Sequence, residues 1–361
     1  MRATSVRLLS LVAIATFLTT AWSSSAVESH IGRAFQNFDP SSVQRRDNAA
    51  ILEAANALID SLDPERKEVM ILPFDTPEKK VWSNLPPNPE YAGLRLADLT
   101  EAQLEAAVDF IATSLSPVGF DKVRGILQGD DLLVRGDTAP SRGNMLFGAD
   151  NYWLFFFGDP SASEAWGWQL DGHHLALNIT IVGERLTMSP SFIGTQPYHV
   201  RWADEPETRP MSGETRKAYQ LVTSLDSAQR EAAIQGPRRQ NLDAGPGDDD
   251  VTPELVGIAG ADLTISQKDQ LMDLVQEWLG YMPEAQAAAR LHAIRATLNE
   301  TYFAWWGEPT VDAPIYFRIQ GPNALVEFCH QNLGGNPLEH LHSVYRDPSN
   351  DYGAAWLAES N

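Results

Sequence analysis

The sequence predicts an α+β fold: a mainly antiparallel sheet flanked by helices, with a helical N-terminal part. Three observations predict it. Segments with helical spacing occupy the chain from Val43 to Gln128. From Asn151 onward, short apolar runs follow one another, each cut off by turn residues. The overall order is helices, strands, helices, strands, without the strict strand–helix alternation that a doubly wound parallel sheet requires. A chain of 361 residues can hold one large or two modest domains. The division expected is a leader over residues 1–26 and a single α+β domain over 27–361. Its helical part covers about 27–148 and its mixed part about 149–361.

The elements follow in order. Residues 43–62 carry Ala49, Leu52, Leu58, Ile59 and Leu62 at helical spacing, and Asp63-Pro64 stops them. Residues 67–74 read as a short strand. Pro73, Pro77, Pro86, Pro87 and Pro89 make the next stretch irregular, with Trp82 as a packing anchor. Thr100 followed by Gln103 is an N-cap with its partner, opening a helix to Leu115; Ser116-Pro117 opens another, to Gln128. Residues 152–157 are an aromatic-rich run that fits a buried strand. Strands over 166–170, 175–182 and 185–192 follow as a meander, split at Gly172, Gly183 and Gly194. Helices are expected over 212–221, 227–234, 266–279 and 283–298, with Pro283 as a first helical residue. Residues 315–319 and 325–329 flank a turn at 320–323, and 340–345 form the last strand.

The formal net charge of −21 repels nucleic acid and anionic lipid, so neither is an expected partner. The first residues read as a secretory signal. Arg2 and Arg7 precede an apolar run from Leu8 to Trp22, and Ser24-Ser25-Ala26 fits a cleavage site. The expectation is an exported protein, periplasmic or extracellular, without a membrane anchor after cleavage; an uncleaved anchor is the alternative. Cys329 is the only cysteine, which excludes an internal disulfide and a cysteine-rich zinc site. A metal in this chain must be held mainly by nitrogen and oxygen.

Half of the eight histidines fall in two short places: His173 and His174 after Gly172, and His340 and His342 in the last strand. Residues two apart in a strand face the same side, so His340 and His342 converge; on a helix they would diverge. Paired imidazoles begin a site for Zn, Cu, Fe or Mn; two exposed polar residues on an edge strand are the plain alternative. His173 and His174 are neighbours, so a regular strand turns only one of them inward. His174 is the favoured ligand. His173 is either a further ligand or a core histidine that donates a ring N–H to a backbone oxygen or to Asp171. Glu327 alternates with apolar neighbours, so it is a buried carboxylate that ligates metal, acts as acid or base, or pairs with Arg318. The acidic run at 248–250 reads as a solvated loop in preference to a calcium site.

Gly334, His340, His342, Asp347 and Gly353 look like the first cupin motif with aspartate in place of glutamate, although the second motif would still have to follow. A longer resemblance covers the chain from about Asn48 to its end. The stretch from Trp168 to Leu175, the pattern Pro190-x-Phe192-x-Gly194-x-x-Pro197, the stretch from Tyr316 to Pro322 with Glu327, and the stretch from His340 to Gly353 together resemble the uncharacterised family called domain of unknown function 3500. That family often ends in a His-Tyr pair, where this chain has Ser360-Asn361. The resemblance implies one shared fold and names no reaction.

These readings lead to an exported metal-dependent enzyme acting on a small molecule or peptide, as a hydrolase first and an oxidoreductase second. His174, His340, His342 and His173 are the metal candidates, and Glu327 and Asp171 the catalytic ones. A non-catalytic extracellular binding protein built on the Trp-rich sheet is the alternative.

Overall fold

The structure is a computed structural model, and it describes residues 28–86, 91–134, 145–249, 251–311 and 313–359. The leader expected over residues 1–26 and the end of the chain at Ser360-Asn361 lie outside them, as does Asp250 of the acidic run.

The N-terminal part folds as α1 (His30–Asn37), α2 (Asn48–Ser61), α3 (Pro64–Met70), β1 (Ile71–Leu72), β2 (Leu94–Arg95), α4 (Glu101–Ser114) and α5 (Pro117–Val134). Local chemistry sets these boundaries. The side chains of Asp47, Asp63 and Thr100 each accept an N–H from the first turn of the helix that follows. Gln103 reaches back to the Thr100 N–H, completing the expected capping box. One expectation fails here. The strand over 67–74 shrinks to β1, because Pro64 starts a new helix behind the Asp63 cap in addition to ending α2.

The meander is β3 (Tyr152–Phe157), β4 (Trp166–Gly172), β5 (Leu175–Val182) and β6 (Arg185–Thr195). Next come α6 (Ser212–Ser224), α7 (Ser227–Ala233), β7 (Ile234–Gly236), β8 (Ile258–Ala259), α8 (Ile265–Leu279) and α9 (Glu284–Ala296). Pro283 is the N-cap of α9, one position before the first helical residue where it was expected. The chain closes with β9 (Tyr302–Trp306), β10 (Tyr316–Gly321), β11 (Ala324–His330), β12 (Leu341–Arg346) and α10 (Ala354–Glu359). Three short strands, β2, β7 and β8, and the aromatic strand β9 are additions to the expected set.

Among the described residues all twelve strands join one sheet, whose main path runs β1-β3-β4-β5-β6-β12-β11-β10-β9-β7. Only β1 with β3 and β7 with β9 are parallel, so the α+β, mainly antiparallel expectation holds. The last strand therefore lies in the middle of the sheet, between β6 and β11.

The two faces of the sheet differ. One carries Phe156, Trp168, Leu177, Ile193, Tyr345, Phe328 and Phe317, which join residues of α1, α2, α4, α5, α6 and α8 in the largest core cluster. On the other face the register aligns Trp153, Asp171, Ala176, Phe192, Val344, Glu327, Arg318 and Ala304 in one row. Irregular chain covers this second face: Trp82 packs on Ala176, Phe192 and Val344, while Leu242 and Val256 pack on Ala304, Trp306, Tyr316 and Cys329. Helices thus bury the apolar face, and loops bury a face that holds charge.

Candidate metal centre

Two places in the chain build the site. Gly172 pairs with Leu175 across the β4–β5 hairpin, which leaves His173 and His174 as its two loop residues. Neither belongs to the strand alternation, so the sequence argument that only one of them can turn inward does not apply. His174 takes a φ of 65°, a left-handed conformation that costs a non-glycine residue about 1 kcal/mol or more. Its carbonyl accepts the Gly194 N–H at 2.7 Å. Gly194 faces His342 across β6 and β12, and a Cβ there would lie 3.1 Å from the His174 ring; the glycine leaves room for the imidazole. His340 is extended after a single 3-10 turn at Pro337–Glu339, and His342 is the second residue of β12. The two rings share a face, as their spacing predicts.

The structure brings His174, His340 and His342 together. Each offers one nitrogen, and these atoms all lie within 4.8 Å of one another. His340 Nε2 is 2.9 Å from His174 Nε2 and 2.9 Å from His342 Nε2. His340 Nδ1 lies 2.6 Å from the Leu333 carbonyl oxygen, so Nδ1 carries the proton and Nε2 a lone pair. One in-plane lone pair can accept one good hydrogen bond, yet two Nε2 atoms crowd it. A cation at the centre of the three resolves that conflict, because each nitrogen then presents a lone pair to it.

Electrostatics agree. All three residues are buried. Burial, with help from the neighbouring imidazoles, pushes His174 and His342 well below the ordinary histidine range, and burial pushes His340 down to about 4. The rings are therefore neutral at pH 7, the form that binds a metal. The second nitrogen of His342 faces the Asn84 side-chain amide at 3.3 Å, a partner that can fix the ring's orientation.

The remaining candidates sit elsewhere. His173 is outside the three-nitrogen group. Its ring stacks on His174 at 3.7 Å between centroids, and its Nδ1 pairs with Asp130 at 2.6 Å. The partner is Asp130 on α5, not the neighbouring Asp171. Asp171 accepts from Gln169, and burial lifts its carboxyl to about 8. Glu327 is fully buried. Its Oε2 accepts the N–H groups of Asp243 and Ala244 at 2.8 and 2.7 Å, and its Oε1 accepts from the Tyr316 hydroxyl. Arg318, the pairing partner expected from sequence, lies 3.9 Å away and makes its closer ion pair with Asp243 at 3.0 Å. Neither carboxylate belongs to the group of three imidazoles.

A cavity of about 300 Å³ opens onto His340 and His342, walled by Asn84, Asn241, Leu242, Asp248 and Gln331 among others. Sequence reasoning missed Asn84, Asp130 and Asp248 as neighbours of the histidines. The sequence shows Asp248 only as part of a solvated acidic loop, and nothing in its local pattern signals the wall of a cavity. Among the described residues, no helix is long and apolar enough to cross a membrane.

A family model described as a protein of unknown function, DUF3500, matches residues 44–354. No curated protein and no solved structure matches the chain. The match spans every motif on which the resemblance was drawn, and the chain belongs to that family.

Proposed function

We propose that this member of the DUF3500 family is an exported metal-dependent enzyme. His174, His340 and His342 hold one divalent transition metal, drawn from Zn, Cu, Fe and Mn, and the reaction is a hydrolysis. The observation that carries this reading is the convergence of the three Nε2 atoms on one point, next to a cavity. A metal with an open position supplies Lewis acidity and lowers the pKa of water. The chain's own residues supply the rest. The Leu333 carbonyl and the Asn84 amide orient two of the rings, and the stacked His173, held by Asp130, backs the third. Of the three carboxylates considered, Glu327 is occupied by two backbone donors and a phenol, and Asp171 by an amide. Asp248 stands on the cavity wall, so we assign it the proton-transfer role in preference to Glu327 and Asp171.

A redox reaction is the second reading. The observation that favours it is a ligand set of three nitrogens without a carboxylate, which suits copper as well as zinc. Elemental analysis of protein purified without a histidine tag tests the shared premise. About one transition-metal ion per chain is expected, falling to traces in His342→Ala. Traces alone in the parent, even after reconstitution, would remove the premise. The identity of the ion then separates hydrolysis from redox chemistry.

A further inference from the structure

Resting on the reading of the imidazole cluster as a metal centre, we infer that the cavity beside it takes a peptide-like ligand, an amide group bearing an uncharged, apolar side chain, and disfavours an anionic side chain. The chemistry of the wall points there. Among the described residues lining the cavity there is no lysine or arginine, and the charged one is Asp248. Beyond the group that engages the proposed ion, whose own charge attracts it, an anionic substituent would face that carboxylate on a chain of net charge −21, with no side-chain cation to offset it.

Three carboxamides, Asn84, Asn241 and Gln331, line the same cavity. Asn84 and Asn241 offer an N–H donor and a carbonyl acceptor, the pair of functions that a peptide group presents in return, while Gln331, whose amide nitrogen donates to the Gln240 carbonyl and the Cys329 sulfur, offers its carbonyl. The apolar contribution comes from leucines. Leu85 and Leu333 line this cavity and are 56% and 74% exposed. Large apolar side chains held in water beside a polar cavity gain by being covered, and an aliphatic side chain of the ligand covers them. Recognition is also linked to the imidazoles. Asn84 touches His342, and Leu333 supplies the carbonyl that orients His340.

Metal-loaded full-length protein and three hydroxamates test the inference by calorimetry. The probes are N-acetyl-leucine hydroxamate, acetohydroxamate and the anionic succinyl monohydroxamate. The leucine compound is expected to bind at least about tenfold tighter than acetohydroxamate, and the anionic one more weakly than either. In the Leu85→Ser/Leu333→Ser double variant the leucine preference should vanish while metal content stays the same. Equal affinities, tighter binding of the anion, or a preference that survives the double variant would overturn the inference. Failure of the underlying reading shows separately, as absence of stoichiometric metal. In chelated protein, N-acetyl-leucinamide is still expected to bind more tightly than N-acetylaspartate. A cavity indifferent to those two overturns the inference whatever the metal content.

Discussion

The imidazoles and the carboxyl of Asp171 respond to burial in opposite ways. His340, His174 and His342 are pushed below the ordinary 6.5 by burial. The folded chain then binds fewer protons than the unfolded chain on the acid side of 6.5, so this part of the stability falls as pH drops from about 6.5 toward 4. Burial lifts Asp171 from 3.8 to about 8. The folded chain there keeps a proton that the unfolded chain loses, and this part of the stability falls as pH rises from about 4 to about 8. The surroundings of Asp171 fit a proton. Its Oδ1, Gln169 Oε1 and Asn178 Oδ1 are buried without a donor, and Gln169 and Asn178 face each other across β4 and β5. A protonated Asp171 donating to a turned Gln169 amide, which in turn donates to Asn178, satisfies two of the three. Asp171→Asn keeps the shape and removes the titration. Chemical denaturation between pH 6.5 and 8, where the histidines contribute equally to both proteins, should therefore show a shallower loss of stability in the variant. The difference should be about 1.4 kcal/mol per pH unit at most. Identical slopes would mean that Asp171 is charged in the folded chain.

One loop element depends on Glu327. The segment over residues 237–249 lies on the loop-covered face of the sheet and carries Asn241, Leu242 and Asp248 to the cavity. Glu327 holds it through the N–H groups of Asp243 and Ala244. Arg318 holds the Asp243 carboxylate, and Arg346 binds the Ala244 carbonyl at 2.9 Å. Glu327→Ala should cost about 2–4 kcal/mol, because it leaves two backbone donors and the Tyr316 hydroxyl without their acceptor. Amide exchange at Asp243 and Ala244 should quicken while metal content stays level. Loss of the metal along with the fold contacts would instead make Glu327 a ligand. The hairpin that carries His174 is the opposite case. Its two loop residues are themselves the functional ones, and their placement comes from turn geometry and not from strand alternation. The spacing argument succeeded for His340 and His342, which sit on an extended chain. It favoured His174, which does join His340 and His342, but on a strand alternation that does not apply there, because period-two reasoning ends where the strand does.

On the scale of the molecule, the proposed ion joins parts of the chain 166 residues apart. It would bind the folded arrangement and not the unfolded chain, so a thousandfold excess over Kd adds about 4 kcal/mol. Chelation should lower Tm by several degrees in the parent protein and leave His342→Ala unchanged. An equal response in both would place the chelator's target elsewhere. The sequence by itself determined the class of the fold, most of the larger elements and the types of residue at the site. Periodicity, capping pairs and turn residues act over a few neighbours, and they are visible without the rest of the chain. Short strands such as β2, β7 and β8 were invisible, because two or three residues hold too little pattern and their pairing is tertiary. Only the folded chain decided that the last strand lies between β6 and β11, which sets His340 and His342 against His174. It alone decided that Asp130 takes His173, that Glu327 anchors a loop, and that Asp248 reaches the cavity. Contacts between distant segments depend on how the sheet is ordered, and local sequence carries no record of that order.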